Sequence, residues 1–304
     1  MVRAEVGKDD GVKNMNSYNL INVITEDNIR LNGLYSLGDK TKSACIFIHG
    51  FTTDFYSHQF YHSITDKLKK QSNAVVFAQT RGTGIQTEFL KTDGEGVFIG
   101  SYYEKLSEAH LDVSAFIEFL TKEGYKEIVL VGHSLGTIKS VRYLFEGRHK
   151  DKITKLILLA PFDKNAFMKI KAPGKWHSFV EKAKEKINEG KGREIVPVPE
   201  WEDYPVSYET FYSWYEQSDL SCIWDFYRKD YNFPILQKIK IPVKVILGEK
   251  DDFVNYPQFG VSAQKALGII KRYISSCETF LIPGSGHTYF GFEKEVADQV
   301  GLFV

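Results

Sequence analysis

Residues 132–136 read Gly-His-Ser-Leu-Gly, directly after the apolar run EIVLV and directly before an amphipathic stretch. A serine hydroxyl is a weak nucleophile until a base takes its proton and fixed N–H donors await the oxyanion that its attack creates. A G-x-S-x-G turn between a buried strand and a helix supplies half of this. It lifts the serine above the sheet on a strained backbone and leaves it at a helix N-terminus, where free N–H groups favour negative charge. Gly132 and Gly136 are read as positions of close approach that leave no room for a Cβ. The five-residue pattern alone recurs by chance, so its strand and helix setting carries the reading. Ser134 is the candidate nucleophile, and His133 is read as a packing residue of the turn.

The chain has eight histidines from which to choose a base. His58, His62, His110, His149 and His177 fall on expected helices, near helix ends or in an irregular stretch, and most are expected to face solvent. His287 lies in Pro283-Gly284-Ser285-Gly286-His287-Thr288, a glycine-rich loop after the last apolar run, where a pliant backbone can bring an imidazole over the sheet edge. It is the candidate base. The imidazole then needs a carboxylate to hold its tautomer and stabilise its charged form. After the run 243–247 come Gly248-Glu249-Lys250-Asp251-Asp252-Phe253, and Asp251 is the candidate acid. Its neighbour Asp252 is read as a helix cap or a solvated residue, with an exchange of roles left open. The run 45–48 ends in His49-Gly50-Phe51. The backbone N–H groups of Phe51 and Leu135 are the candidate oxyanion donors, and His49 is assigned to loop structure.

These residues need elements to position them. Residues 18–25 and 29–37 read as a hairpin. Then wholly apolar runs at 44–48, 74–78, 127–131, 155–160, 243–247 and 279–282 alternate with amphipathic helices, among them 104–122, closed by Gly124, and 135–145. Strands apolar on both faces and separated by helices imply an α/β fold with a mostly parallel central sheet covered on both sides. Residues 161–233 break this rhythm and hold all four tryptophans. We read 18–160 and 234–304 as the core, and 161–233 as a lid or cap insertion. Trp201, Trp214 and Trp224 are candidate substrate contacts, the competing account being that such rings only build a small core for the lid.

Lys and Arg together number 39, as do Asp and Glu, so no field of one sign steers the protein toward nucleic acid or anionic lipid. The expected partner is a small acyl substrate. The three cysteines are widely spaced and mostly within apolar runs, which suits reduced packing residues and a cytoplasmic location. The first residues carry no apolar leader, and no run approaches the roughly 20 apolar residues that span a bilayer. Residues 1–17 read as a loose tail. No motif points to a metal, nucleotide or flavin, and Gly94-Glu95-Gly96 lacks the setting of a phosphate loop. No cofactor is expected, and the pattern sets no oligomeric state, a homodimer included.

From about Tyr18 onward the chain resembles the α/β-hydrolase superfamily. The matching pieces are His49-Gly50-Phe51, Arg81-Gly82-Thr83-Gly84, Gly132 to Gly136, Leu159-Ala160-Pro161, Gly248 to Asp251 and Gly286-His287-Thr288. The order Ser, Asp, His along the chain is that of the superfamily. The resemblance implies an acid three residues after a glycine, which here is Asp251, and a lid where the aromatic insertion falls. It also makes Arg81 a structural residue. Gly100-Ser101-Tyr102-Tyr103-Glu104 and Gly136-Thr137-Ile138-Lys139 are similar to a microbial group related to fungal siderophore ester hydrolases, which implies ester hydrolysis.

The leading expectation is a serine hydrolase that cleaves a carboxylic ester or thioester of an apolar or aromatic acyl group through an acyl-enzyme. A serine aminopeptidase or amidase and a carbon–carbon bond hydrolase use the same three residues. Dehalogenases and epoxide hydrolases with an aspartate nucleophile are disfavoured by the serine at 134. A ligand-binding module of the same fold, without turnover, is the alternative of a different class.

Overall fold

The computed structural model describes residues 18–54, 56–197, 205–216 and 218–304. A hairpin of β1 (Asn19–Ile24) and β2 (Arg30–Ser36) leads into β3 (Ala44–Ile48), α1 (Gln59–Lys70) and β4 (Ala74–Ala78). A small hairpin follows, β5 (Glu88–Leu90) and β6 (Gly96–Phe98), then α2 (Ala109–Lys122), β7 (Ile128–His133), α3 (Leu135–Glu146) and β8 (Ile153–Leu159). Next come α4 (Lys164–Lys171), α5 (Trp176–Asn188) and α6 (Tyr208–Tyr215). The chain closes with β9 (Val243–Gly248), α7 (Ala263–Tyr273), β10 (Cys277–Ile282) and α8 (Glu293–Phe303).

Eight strands form one sheet in the order β1-β2-β4-β3-β7-β8-β9-β10. The first two joins are antiparallel, and every later one is parallel. Successive residues of a strand point to opposite faces, so a strand buried on both faces feeds two cores. Ala44, Ile46 and Ile48 enter one core with Leu130, Leu158 and Val245, under α2, α3 and α7. Cys45 and Phe47 enter the other with Val131, Ile157 and Ile246, under α1 and α8. A one-residue slip would exchange the two sets, which pins the register.

The apolar runs become strands within one to two residues at their ends. One difference bears on the site: β7 extends to His133, so the turn bearing Ser134 follows the strand with no intervening residue. The first residues of the expected helix 104–122 form a short 3₁₀ turn at 106–108 before α2 begins at Ala109. The β5–β6 hairpin was not anticipated, because three-residue strands carry too few residues to display alternation. Gly94, at φ +89°, turns that hairpin.

After β3 the chain proceeds to β4 on one side, and after β7 to β8, β9 and β10 on the other. The crevice between the C-terminal ends of β3 and β7 is therefore the topological switch point, where open parallel sheets present their ligand sites. Cys45, Cys222 and Cys277 are free thiols. No helix among the described residues is long and apolar enough to cross a membrane.

Candidate active site

The switch point brings together what the sequence lists far apart. Ser134 sits between β7 and α3 at φ +55° and ψ −121°, a strained conformation for a residue with a side chain. Close packing around the turn explains both glycines. A Cβ on Gly136 would lie 2.2 Å from the Ile48 carbonyl, and one on Gly132 would lie 2.4 Å from that of Gly136. The pairing of Ile48 with Gly132 carries the loop after β3 up to the turn, and a Cβ on Gly50 would meet that of Ser134 at 3.0 Å. Phe51 follows there, half-buried. Leu135 is the first residue of α3, so its N–H belongs to the donors that a helix leaves without internal partners.

The histidine and carboxylate converge on the serine. The Nε2 of His287 lies 2.8 Å from Ser134 Oγ, and its Nδ1 lies 2.9 Å from each oxygen of Asp251. Asp251 is fully buried, and its Oδ1 also accepts the N–H of Phe253 at 2.9 Å. A carboxylate only accepts, so Nδ1 carries the proton and Nε2 is left to take the hydroxyl hydrogen. Asp252 is exposed. The exchange of roles left open by the sequence thus has no geometric support.

Two further histidines edge the turn. The Nδ1 of His49 donates to the Gly50 carbonyl at 2.9 Å, and its Nε2 accepts from Thr80 and Thr83 at 2.9 Å each. Burial and then the Lys139 charge push its pKa down to about 3. In the unfolded chain the ring protonates below about pH 6.5, so between that pH and about 3 the unfolded state binds the extra proton. Stability should fall as pH falls through this window, by about 1.4 kcal/mol per unit from this residue. Urea unfolding of wild type and His49→Gln between about pH 7 and 5 checks it: the variant's slope should be shallower, by a difference that approaches one proton toward about pH 5, and equal slopes would refute the assignment. His58 stands at the N-terminal boundary of α1 beside the site, without a side-chain cap hydrogen bond, and burial and then the charge of His287 lower its pKa. Arg81 is buried in ion pairs with Asp112, Asp27 and Glu108, as expected of a structural residue.

Above Ser134 opens a cavity of about 240 Å³. Its walls are apolar rings, Phe51, Phe162, Phe167, Trp214 and Phe253, with His58, Thr52, Thr53 and Thr288 at intervals. Phe162 and Phe167 come from the start of the 161–233 stretch, held by Asp163. That carboxylate caps α4 through the Ala166 N–H at 2.9 Å and takes the Phe226 N–H at 3.0 Å. Of the three tryptophans singled out, Trp214 lines the cavity. Trp224 does not: it is buried against Phe226 and its Nε1 donates to Thr137 on α3 at 3.0 Å, bracing the stretch to the core. Trp201 lies outside the described residues. Phe162, Phe167 and Phe253 are walls that the sequence does not single out, although Phe253 stands in the loop of Asp251.

A mostly parallel sheet of this order, with a serine on a strained strand-to-helix turn under a histidine and a carboxylate, defines a serine-type α/β hydrolase. The chain belongs to the Hydrolase_4 family, described as serine aminopeptidase, S33, whose model matches residues 39–295. Many solved structures share its fold, among them the following three. Est1E from Butyrivibrio proteoclasticus, with ferulic acid bound, is 18% identical with a TM-score of 0.63, over 93% of this chain and 97% of that one. The esterase Pf2001 of Pyrococcus furiosus is 20% identical with a TM-score of 0.58, over 94% and 90%. DcsB, in complex with a substrate analogue, is 14% identical with a TM-score of 0.66, over 94% and 98%. No curated protein matches the sequence.

Proposed function

We propose that this hydrolase is an esterase that takes an aromatic or apolar acyl group through an acyl-enzyme. In this reading Ser134 is the nucleophile, His287 the base and Asp251 the acid behind it. His287 Nε2 accepts the hydroxyl proton as Oγ attacks the ester carbonyl, and the backbone N–H groups of Phe51 and Leu135 take up the oxyanion. The proton then passes to the leaving alcohol, and His287 activates water to release the acid. The 161–233 stretch acts as a lid that supplies part of the acyl pocket.

The observation that carries the reading is the ring-lined cavity directly over Ser134. An apolar cavity of about 150 Å³ suffices for benzene, so one of this size accommodates a single ring with a short linker. The ferulic acid bound to Est1E is a ligand of that kind. A serine aminopeptidase needs a carboxylate to hold the substrate's ammonium, and none of the described residues lining the cavity is acidic.

The test is a panel of p-nitrophenyl and methyl esters graded in acyl length and aromaticity, run beside aminoacyl p-nitroanilides. Aromatic and medium-chain esters should lead, with anilides at least about tenfold lower in kcat/KM. An anilide that matches the best ester would overturn the proposal. Trp214→Ala and Phe167→Ala should each lower kcat/KM for aromatic esters by about 10- to 100-fold relative to acetyl esters, the loss of one buried ring contact. Trp224→Ala should lower the melting temperature and leave the ranking unchanged. A ranking that survives all three variants would leave the rings a structural cover.

A further inference from the structure

We infer that His133 is a positioning residue, whose Nε2–H ties the turn bearing Ser134 to the backbone carbonyl of His287. The inference rests on the reading of His287 as the base. His133 is the last residue of β7, adjacent in the chain to Ser134 and 2% exposed. Its Nε2 lies 3.1 Å from the His287 carbonyl oxygen. A carbonyl can only accept, so Nε2 carries the hydrogen and Nδ1 is the bare nitrogen. Among the described residues that Nδ1 has no hydrogen-bond partner.

An apolar side chain would fill the same buried position without leaving a lone pair unsatisfied, so the donor is what histidine adds. The donor is placed on the backbone of the base residue itself, whose side chain is held by Asp251 and Ser134. The loop is tied further back, where the Gly284 N–H donates to Glu249 and Ser285 accepts from the Lys250 N–H, each at 2.8 Å. No other donor among the described residues reaches the His287 carbonyl. The base's ring packs against two others, His133 at 5.1 Å and Phe253 at 4.5 Å between centroids. Ring contact and hydrogen bond together hold the backbone and plane of the base against the residue preceding the nucleophile, which sets the 2.8 Å contact between Nε2 and Oγ.

His133 also stays uncharged. Burial, then the neighbouring His287 and His58, keep its pKa well below the ordinary histidine value. A cation there would oppose the imidazolium that forms on His287 during attack.

The test compares His133→Phe, which keeps a ring and loses the donor, with His133→Gln, whose amide reaches the same carbonyl. His133→Phe should lower kcat for a p-nitrophenyl ester by about 10- to 100-fold with KM within roughly twofold, because alignment and not ground-state binding is lost. His133→Gln should recover most of that loss. Wild-type kcat in His133→Phe, or a His133→Gln variant as slow as His133→Phe, would overturn the inference. Nitrogen-15 NMR of the wild-type side chains does not depend on either variant folding. It should report His133 as the neutral Nε2–H tautomer from about pH 5 to 8, and an Nδ1–H tautomer or a titration in that range would also overturn it. A Ser134→Ala variant run in parallel separates the two claims. If it retains activity, the parent reading fails; if it is inactive while His133→Phe is fully active, only the positioning role fails.

Discussion

Ser134→Ala is expected to lower kcat for a p-nitrophenyl acyl ester by on the order of 10⁶ while moving stability by no more than about 1 kcal/mol. In the proposed mechanism the hydroxyl is the group that forms the acyl bond, and no other group among the described residues lining the cavity is placed to replace it. In the resting fold its loss removes one hydrogen bond to His287 and leaves the backbone at φ +55° as strained as before. Ser134→Gly separates the two effects. Glycine accepts a positive φ, so that variant should be equally inactive yet more stable than Ser134→Ala. Activity measured beside a urea melt checks both, and a Ser134→Ala chain with most of its activity would remove this residue from the mechanism. A fluorophosphonate probe adds a second reading. Stoichiometric labelling of the wild type and none of the variant is the outcome expected of an enzyme, whereas a folded wild type that refuses the label would favour a binding module.

The second large effect concerns adjacent carboxylates. Asp251→Asn should lower kcat by about 10³- to 10⁴-fold, because an amide facing Nδ1 can favour the wrong tautomer and cannot stabilise the imidazolium. The Nδ1 of His287 lies 2.9 Å from both oxygens of Asp251, the carboxylate that faces it. Asp252→Asn, changing an exposed carboxylate one residue away, should leave kcat within about twofold. Steady-state kinetics on the pair decides it, and the reverse ranking would transfer the role to Asp252.

Local rules made much of this protein legible in its sequence. Six apolar runs separated by amphipathic helices announce a covered parallel sheet, and the two cores fed by alternate residues of β3 and β7 are the physical content of that pattern. The glycines of the Gly-His-Ser-Leu-Gly turn were readable for the same reason, since a strand that passes straight into a helix leaves no volume for a Cβ. The loops carrying the carboxylate and the histidine were marked by position, one following the end of the buried strand β9 and the other the end of the edge strand β10.

Whatever depends on direction in space was settled only by the tertiary structure. Asp251 and Asp252 are chemically identical neighbours, and the turn after β9 buries one against His287 and exposes the other. Trp214 and Trp224 belong to the same aromatic stretch, yet packing aims one at the cavity and hydrogen-bonds the other to Thr137. His58, one of five histidines of which most were expected to face solvent, stands half-buried at the start of α1 on the cavity wall. The His133 tie spans 154 residues, and the contacts of His287 with Ser134 and Asp251 span 153 and 36. Composition and periodicity are properties of neighbours along the chain. Which side chain meets which across such separations follows from the strand order, because β3, β7, β9 and β10 deliver their loops to one end of one sheet.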